Sequence, residues 1–206
     1  MLENYKENED GIIYQVESKK YQYNDSYIDT YNKFGEVGRR MSFLRLGNII
    51  GSIGYIPESI LDVGYGNGDF LDLCKESIPD CNGNDISGYP VPAGCNFVSD
   101  IFSRHFSVIT FFDALEHFPD IEWVKDLDCK NVAISLPNCH YKDDQWFEEW
   151  KHRKPDEHLW HFNKNSLVKF MERMGYKLVS MSNVEDIIRK NKPNEENILT
   201  GIFEKL

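Results

Sequence analysis

Asp62-Val63-Gly64-Tyr65-Gly66-Asn67-Gly68 sets three glycines at alternate positions just behind a carboxylate. Glycines at that spacing let a backbone turn tightly and approach a ligand with no Cβ in the way. The third glycine comes one place too early for a dinucleotide fingerprint, because Asp69 stands where that glycine would be. Asp62 is positioned to orient the turn or to reach a cationic ligand group. Asp85, 17 residues after Gly68, ends the next strand-like run with Ile86 behind it. A carboxylate there accepts both hydroxyls of a ribose, through charge-assisted bonds of about 1.5–3 kcal/mol each. A glycine loop alone serves any tight strand-to-helix turn; the two carboxylates sharpen the reading.

A second constellation lies further on. Five of the six histidines (His117, His140, His152, His158, His161) and all four tryptophans (Trp123, Trp146, Trp150, Trp160) fall between 117 and 161. Asp113-Ala114-Leu115-Glu116-His117 puts three ligating side chains within five residues, a set suited to Mg²⁺ or another divalent ion. In the bland reading Glu116 and His117 only cap and stiffen a turn. The spacing of His158 and His161 can bring both imidazoles to one side of a helical turn, although histidines and aromatics also simply fill a lid. Cys139, His140, His158 and His161 are of zinc-binding types, but their spacing fits no structural zinc module. The run DDQWFEEWKHRKPDE reads as a solvated lid whose basic centre, Lys151, His152, Arg153 and Lys154, also suits an anionic substrate. A hydroxyl nucleophile needs its proton removed, and histidine suits that role. His117 is the first choice for base or metal ligand, beside Glu116; His158 and His161 come next.

These residues need elements to hold them. Residues 36–53 have helical spacing in Val37, Met41, Leu44 and Ile49. An alternation follows: SILDVGY as a buried strand, GDFLDLCKESI as a helix, CNGNDIS and CNFVSDI as short strands, FSVITFFDA as a long one. A helix is expected through EHFPDIEWVKDL, then the strand NVAISLPN, and a helix over NKNSLVKFMERMGY opened by Asn163 or Asn165 and closed at Gly175. KLVSMSNVED and ENILTGIFEKL end the chain as strand-like runs, too close in sequence for a crossover helix and so antiparallel. The fold class is α/β: a doubly wound, Rossmann-like sheet of seven strands, mostly parallel, with an antiparallel C-terminal edge strand. Ligands bind such sheets in the crevice at the carboxyl ends of the strands, which is where both constellations fall.

The residues also resemble a family. SILDVGYGNGDFL is similar to the first motif of class I S-adenosylmethionine-dependent methyltransferases, and NDIS with Asp85 to their second. VSDIF resembles the segment that meets the adenine. FSVITFFDALEHF resembles the fourth-strand motif, nearest the branch of ubiquinone-biosynthesis O-methyltransferases. The resemblance spans roughly residues 40–205. It implies S-adenosyl-L-methionine as cofactor, with Gly64, Gly66 and Gly68 facing its methionine part and Tyr65 beside them. Asp85 and Ile86 would lie at the ribose, Asp100 and Ile101 at the adenine, and Asp113 near the methyl. Arg45 stands where that branch often pairs an arginine with the cofactor carboxylate; otherwise it is an ordinary helix-surface residue. In the same branch an acid-xx-Glu-His run is associated with a divalent metal, and Asp113 here shortens the reach by a methylene. Tyr65 and Asn67 depart from the commoner loop residues without removing a glycine. The implied reaction is methyl transfer to a small-molecule acceptor, with a hydroxyl oxygen the leading expectation.

Composition bounds the rest. At 206 residues the chain suits one domain: a tyrosine-rich, helical cap over 1–53 and a core over 54–206 with a 139–162 lid insertion. Tyr14, Tyr21, Tyr23, Tyr27 and Tyr31 would help enclose the acceptor. A net charge of −11 argues against a nucleic-acid partner, and LPN after the fifth strand is not the motif of base N-methylating enzymes. A cofactor-binding module without catalysis is the other rival. No apolar run reaches the roughly 18 residues that span a bilayer, the N-terminus is unlike a secretory signal, and five unpatterned cysteines suit a reducing compartment. A cytoplasmic protein is expected.

Overall fold

A computed structural model of the chain describes residues 1–19, 35–190 and 195–206. Tyr21, Tyr23, Tyr27 and Tyr31 lie outside the described residues. Near its start the chain forms a short hairpin, β1 (Tyr5–Glu7) and β2 (Ile13–Gln15), in antiparallel register. α1 (Glu36–Ile53) is the helix its spacing predicts. Gly54, left-handed at φ 77°, ends it by returning its N–H to the Ile50 carbonyl.

β3 (Ser59–Val63) is buried at every residue and leads through the glycine loop into α2 (Asp69–Cys74). β4 (Asp80–Asn84), β5 (Asn96–Phe97), β6 (Phe106–Phe112) and β7 (Cys129–Pro137) follow, all parallel. In the segment after β7, α3 (Asp144–Glu149) is capped by Asp143, which accepts the Trp146 N–H at 2.7 Å. β8 (Trp160–His161) then pairs with β2, and Tyr14 stacks on Trp160, so the 139–162 segment is fastened to the N-terminal hairpin. α4 (Lys164–Arg173) opens with a capping box between Asn163 and Ser166. β9 (Tyr176–Ser182) and β10 (Ile198–Lys205) complete a seven-stranded sheet in the order β5-β4-β3-β6-β7-β10-β9. The antiparallel pair expected at one edge is there, with β10 seated between β7 and β9, one place in from the margin. The doubly wound, mostly parallel architecture expected from the sequence stands.

Alternation along the strands sends side chains to two cores. Leu61, Val63, Ile109, Phe111 and Ile134 meet Leu167, Phe170 and Met171 of α4. Ile60, Val108, Phe112 and Ile202 meet Leu46 and Ile49 of α1 with Phe70 and Leu71 of α2. Burial on both faces explains why the parallel strands read as unbroken apolar runs.

One expected helix is absent. EHFPDIEWVKDL forms two separate 3₁₀ turns, Leu115–His117 and Glu122–Asp126. Pro119 has no N–H to donate and disfavours helical backbone at Phe118, which is extended. All five cysteines are free thiols. No described helix is long and apolar enough to cross a membrane.

Candidate active site

A cavity of about 1020 Å³ opens at the carboxyl ends of the parallel strands, a volume at the top of the range for small-molecule sites. Its floor is the glycine loop. Gly64, Gly66 and Gly68 all have positive φ, 79°, 57° and 82°. At Gly64 packing adds to the backbone demand, since a Cβ there would lie 2.8 Å from that of Ala114. Tyr65 lies against Gly83 of β4, where a Cβ would come within 2.6 Å of its ring, and its hydroxyl donates to the Tyr89 carbonyl. The unusual tyrosine thus has a matching glycine on the neighbouring strand.

Asp85 ties that loop to the end of β4. Its carboxylate accepts the Gly66 N–H at 2.9 Å and the Ser87 N–H at 2.7 Å. A carboxylate has about four acceptor sites, so lone pairs remain for a ligand. Ile86, 81% exposed, forms an apolar lip beside it. Asp62 lines the cavity and accepts the Thr110 hydroxyl at 2.6 Å; burial pushes its carboxyl up to about 6. Asp100 and Ile101 stand outside the cavity lining. Asp100 is exposed and caps its own turn by accepting the Phe102 N–H, while Ile101 packs on the core.

A four-membered ion network forms part of the wall. Arg45 of α1 lies 4.3 Å over the Phe112 ring and gives Nε and Nη2 to Glu185, at 2.7 and 3.1 Å. Its Nη2 also reaches Asp113 at 3.2 Å. Arg189 Nη1 donates to both Asp113 oxygens, at 2.9 and 2.6 Å, and to Glu185 at 3.0 Å. Ser135 completes the shell of the fully buried Glu185. Burial by itself would raise both carboxyls, but Arg189 and Arg45 outweigh it at Asp113, and Arg45 does so at Glu185. Both carboxyls therefore lie below their usual range. Arg45 is thus no free surface arginine. Asp113, held at φ 51° after β6, has its oxygens committed to two guanidinium groups.

That commitment corrects the expected metal set. Glu116, His117 and His158 come together instead, with one ligand atom from each all within 4.8 Å of one another. His117 and His158 meet edge to face at 4.7 Å, and the Leu159 N–H donates to the Glu116 carbonyl at 2.8 Å, which pins this segment on the 115–117 turn. The Glu116 side chain is buried with neither carboxylate oxygen hydrogen-bonded. Burial, reinforced by Asp113, raises its carboxyl well above the usual range. Burial also pulls both imidazoles down, His158 to about 2.

His161 does not join them. Residues 160 and 161 are extended rather than helical, so the expected one-sided histidine pair does not form. His161 packs among Phe147, Trp150 and Tyr5, at 5.0, 5.7 and 5.8 Å. The zinc set does not assemble either: His140 is bonded to the Glu196 carbonyl, and Cys139 is buried in the small aromatic core. Among the described residues Glu116, His117 and His158 form the one metal-competent group. Sequence reasoning misses Glu185 and Arg189: Glu185 falls near the end of the strand-like run KLVSMSNVED and Arg189 in the connection after it.

A family model described as a methyltransferase domain matches residues 33–181. No curated protein matches the sequence. Among solved structures, similarity extends to the 1,6-didemethyltoxoflavin-N1-methyltransferase of Burkholderia thailandensis, bound to its substrate and S-adenosylhomocysteine. The TM-score is 0.60 at 12% identity, over 98% of this chain and 99% of that one. The magnesium protoporphyrin IX methyltransferase of Synechocystis, with S-adenosylhomocysteine, aligns with a TM-score of 0.57 at 13% identity over 91% and 90%. An S-adenosylmethionine-dependent methyltransferase of Clostridium acetobutylicum gives 0.55 at 13% over 85% and 99%. At these identities the structures speak for the fold alone, and the matched model speaks for the family. With its glycine loop, Asp85 and sheet order in place, the chain belongs to the methyltransferase-domain family and is an S-adenosylmethionine-dependent methyltransferase.

Proposed function

We propose that the enzyme methylates a hydroxyl oxygen of a small-molecule acceptor, as the resemblance to the quinone-biosynthesis branch implies. His117 and His158 carry this reading, because both line the same cavity as the glycine loop with neutral imidazoles, and Glu116 is buried beside them. S-adenosylmethionine would lie along Gly64, Gly66 and Gly68 with its ribose at Asp85, and the acceptor between the 115–119 turn and the 139–162 lid. The step is an in-line displacement: the acceptor oxygen bonds the methyl carbon as the sulfonium C–S bond breaks, and the hydroxyl proton passes to an imidazole. Alignment and exclusion of water supply most of the acceleration. Burial keeps His117 below its ordinary pKa and so unprotonated at neutral pH, ready to accept that proton.

A second reading gives the same three side chains to a divalent ion. The observation favouring it is Glu116, whose two buried oxygens accept no hydrogen bond and would gain a cation to face. Glu116, His117 and His158 fit such an ion; Asp113, held by Arg45 and Arg189, does not. A bound ion would supply Lewis acidity towards the acceptor hydroxyl.

The test is turnover with isotope-labelled S-adenosylmethionine, with the methylated atom read from the carbon shift of the transferred methyl. An O-methyl product is expected. His117→Ala should lower turnover by ~10²–10⁴-fold while leaving the affinity for S-adenosylhomocysteine nearly unchanged. An N-methyl product, or full activity without His117, contradicts the proposal. Loss of activity to a chelator, with recovery on adding Mg²⁺ or Mn²⁺, distinguishes the metal reading.

A further inference from the structure

The charged lining of the cavity divides by position along the sheet. Asp62, Asp69 and Asp85 come from the β3 and β4 side; Lys151, Lys154 and Lys190 come from the segments that follow β7 and β9. Three strand spacings separate β4 from β7 and five separate it from β9, widths of about 14 and about 24 Å at the usual 4.8 Å. Most of the basic charge at the far side is already spoken for. Arg45 and Arg189 are neutralised by Asp113 and Glu185, and Lys154 pairs with Glu157 at 3.0 Å. Lys151 and Lys190 remain, both exposed and, among the described residues, without an acidic partner. Two uncompensated ammonium groups at one end of a cavity run against the tendency of a chain whose net charge is −11. Clefts lined by one sign of charge concentrate ligands of the other.

We infer that the methyl acceptor carries an oxyanion, a carboxylate or a phosphoryl group, which docks between Lys151 and Lys190 at the end of the cavity away from the glycine loop. This inference rests on the methyltransferase reading and names the acceptor class for that same cavity. Anchored there, the rest of the acceptor extends across His117 and His158 towards the sulfonium, so the lysines fix both identity and direction. The cationic methyl donor and the anionic anchor then occupy the acidic and basic ends respectively.

The probes are inorganic phosphate and succinate, titrated by calorimetry into protein saturated with S-adenosylhomocysteine. At least one should bind, more weakly as ionic strength rises. The Lys151→Ala/Lys190→Ala double variant should bind it about tenfold or more weakly, with its S-adenosylhomocysteine affinity unchanged. Lys177→Ala is the control, because Lys177 is the second residue of β9, at the opposite end of the sheet, and pairs with Glu204. It should bind the probe as the unaltered protein does. A preference for phosphate or for succinate identifies the phosphoryl or the carboxylate form. Failure of both probes to bind the saturated protein, or an equal loss in Lys177→Ala, overturns the inference. Failure of S-adenosylhomocysteine itself to bind would instead overturn the methyltransferase reading, so the two failures are separable.

Discussion

Arg45 and Glu116 show how far a residue's neighbours decide its role. From the sequence, Arg45 is a partner for the cofactor carboxylate or an ordinary surface arginine, and neither reading expects it to matter to the empty protein. Its bidentate contact with the buried Glu185 changes that. Removing one partner of a buried ion pair costs about 3–5 kcal/mol. Arg45→Ala should therefore lose stability of that order in urea unfolding of the ligand-free protein; an unchanged midpoint would mean the network is slack. Glu116 makes a prediction with pH. Its folded pKa is raised above the ordinary 4.5, so the native state holds the proton more tightly than the unfolded chain. Stability tied to it is complete below pH 4.5 and is lost as pH rises towards the raised value. The depressed His117 and His158 act oppositely, losing stability as pH falls below 6.5 and adding no slope above it. In chelator, Glu116→Gln should thus gain on the unaltered protein as pH rises from 4.5 towards the raised value. Parallel melting curves across that range would show that Glu116 is not buried as a neutral acid.

At the scale of elements, periodicity and caps were legible and contacts between distant segments were not. The bounds of α1 match the 36–53 reading, and Asn163 caps α4 as its position suggested. The 116–127 stretch, read as a helix, forms two 3₁₀ turns instead because Pro119 interrupts it. His161 misled as well: a spacing of three means one face only in a helix, and β8 is extended because β2 offers it a hydrogen-bonding edge. Nothing local to residues 158–161 signals that edge, which lies some 145 positions earlier. Asn163→Ala should cost about 0.5–2 kcal/mol of stability, through loss of the Ser166 N–H bond, without touching cofactor affinity. Gly64→Ala should do both. It forces a left-handed alanine, at about 1–2 kcal/mol, and brings its Cβ to 2.8 Å from Ala114 on the floor of the site. Equal cofactor affinity in Gly64→Ala, measured by calorimetry, would place the cofactor away from this loop.

Across the whole molecule, one sheet with one open end gathers what the sequence scatters. The glycine loop, Asp85, the Glu116 cluster and the lid follow different strands, and meet because those strands are parallel and end together. The glycine loop and Asp85 could be read from sequence, because Gly64, Gly66 and Gly68 lie in one contiguous loop and Asp85 ends the next strand-like run. The ion network could not be: it joins Arg45, Asp113, Glu185 and Arg189 from three distant segments. The central claim is that this cavity holds S-adenosylmethionine, with its ribose on Asp85. Calorimetric titration of the protein and of Asp85→Ala with S-adenosylhomocysteine, and with NAD as comparison, tests it most directly. S-adenosylhomocysteine should bind and NAD should not, and Asp85→Ala should lose about 1.5–3 kcal/mol of affinity, the worth of charge-assisted bonds to the ribose. Preferential binding of NAD, or the same S-adenosylhomocysteine affinity with and without the Asp85 carboxylate, would contradict the account.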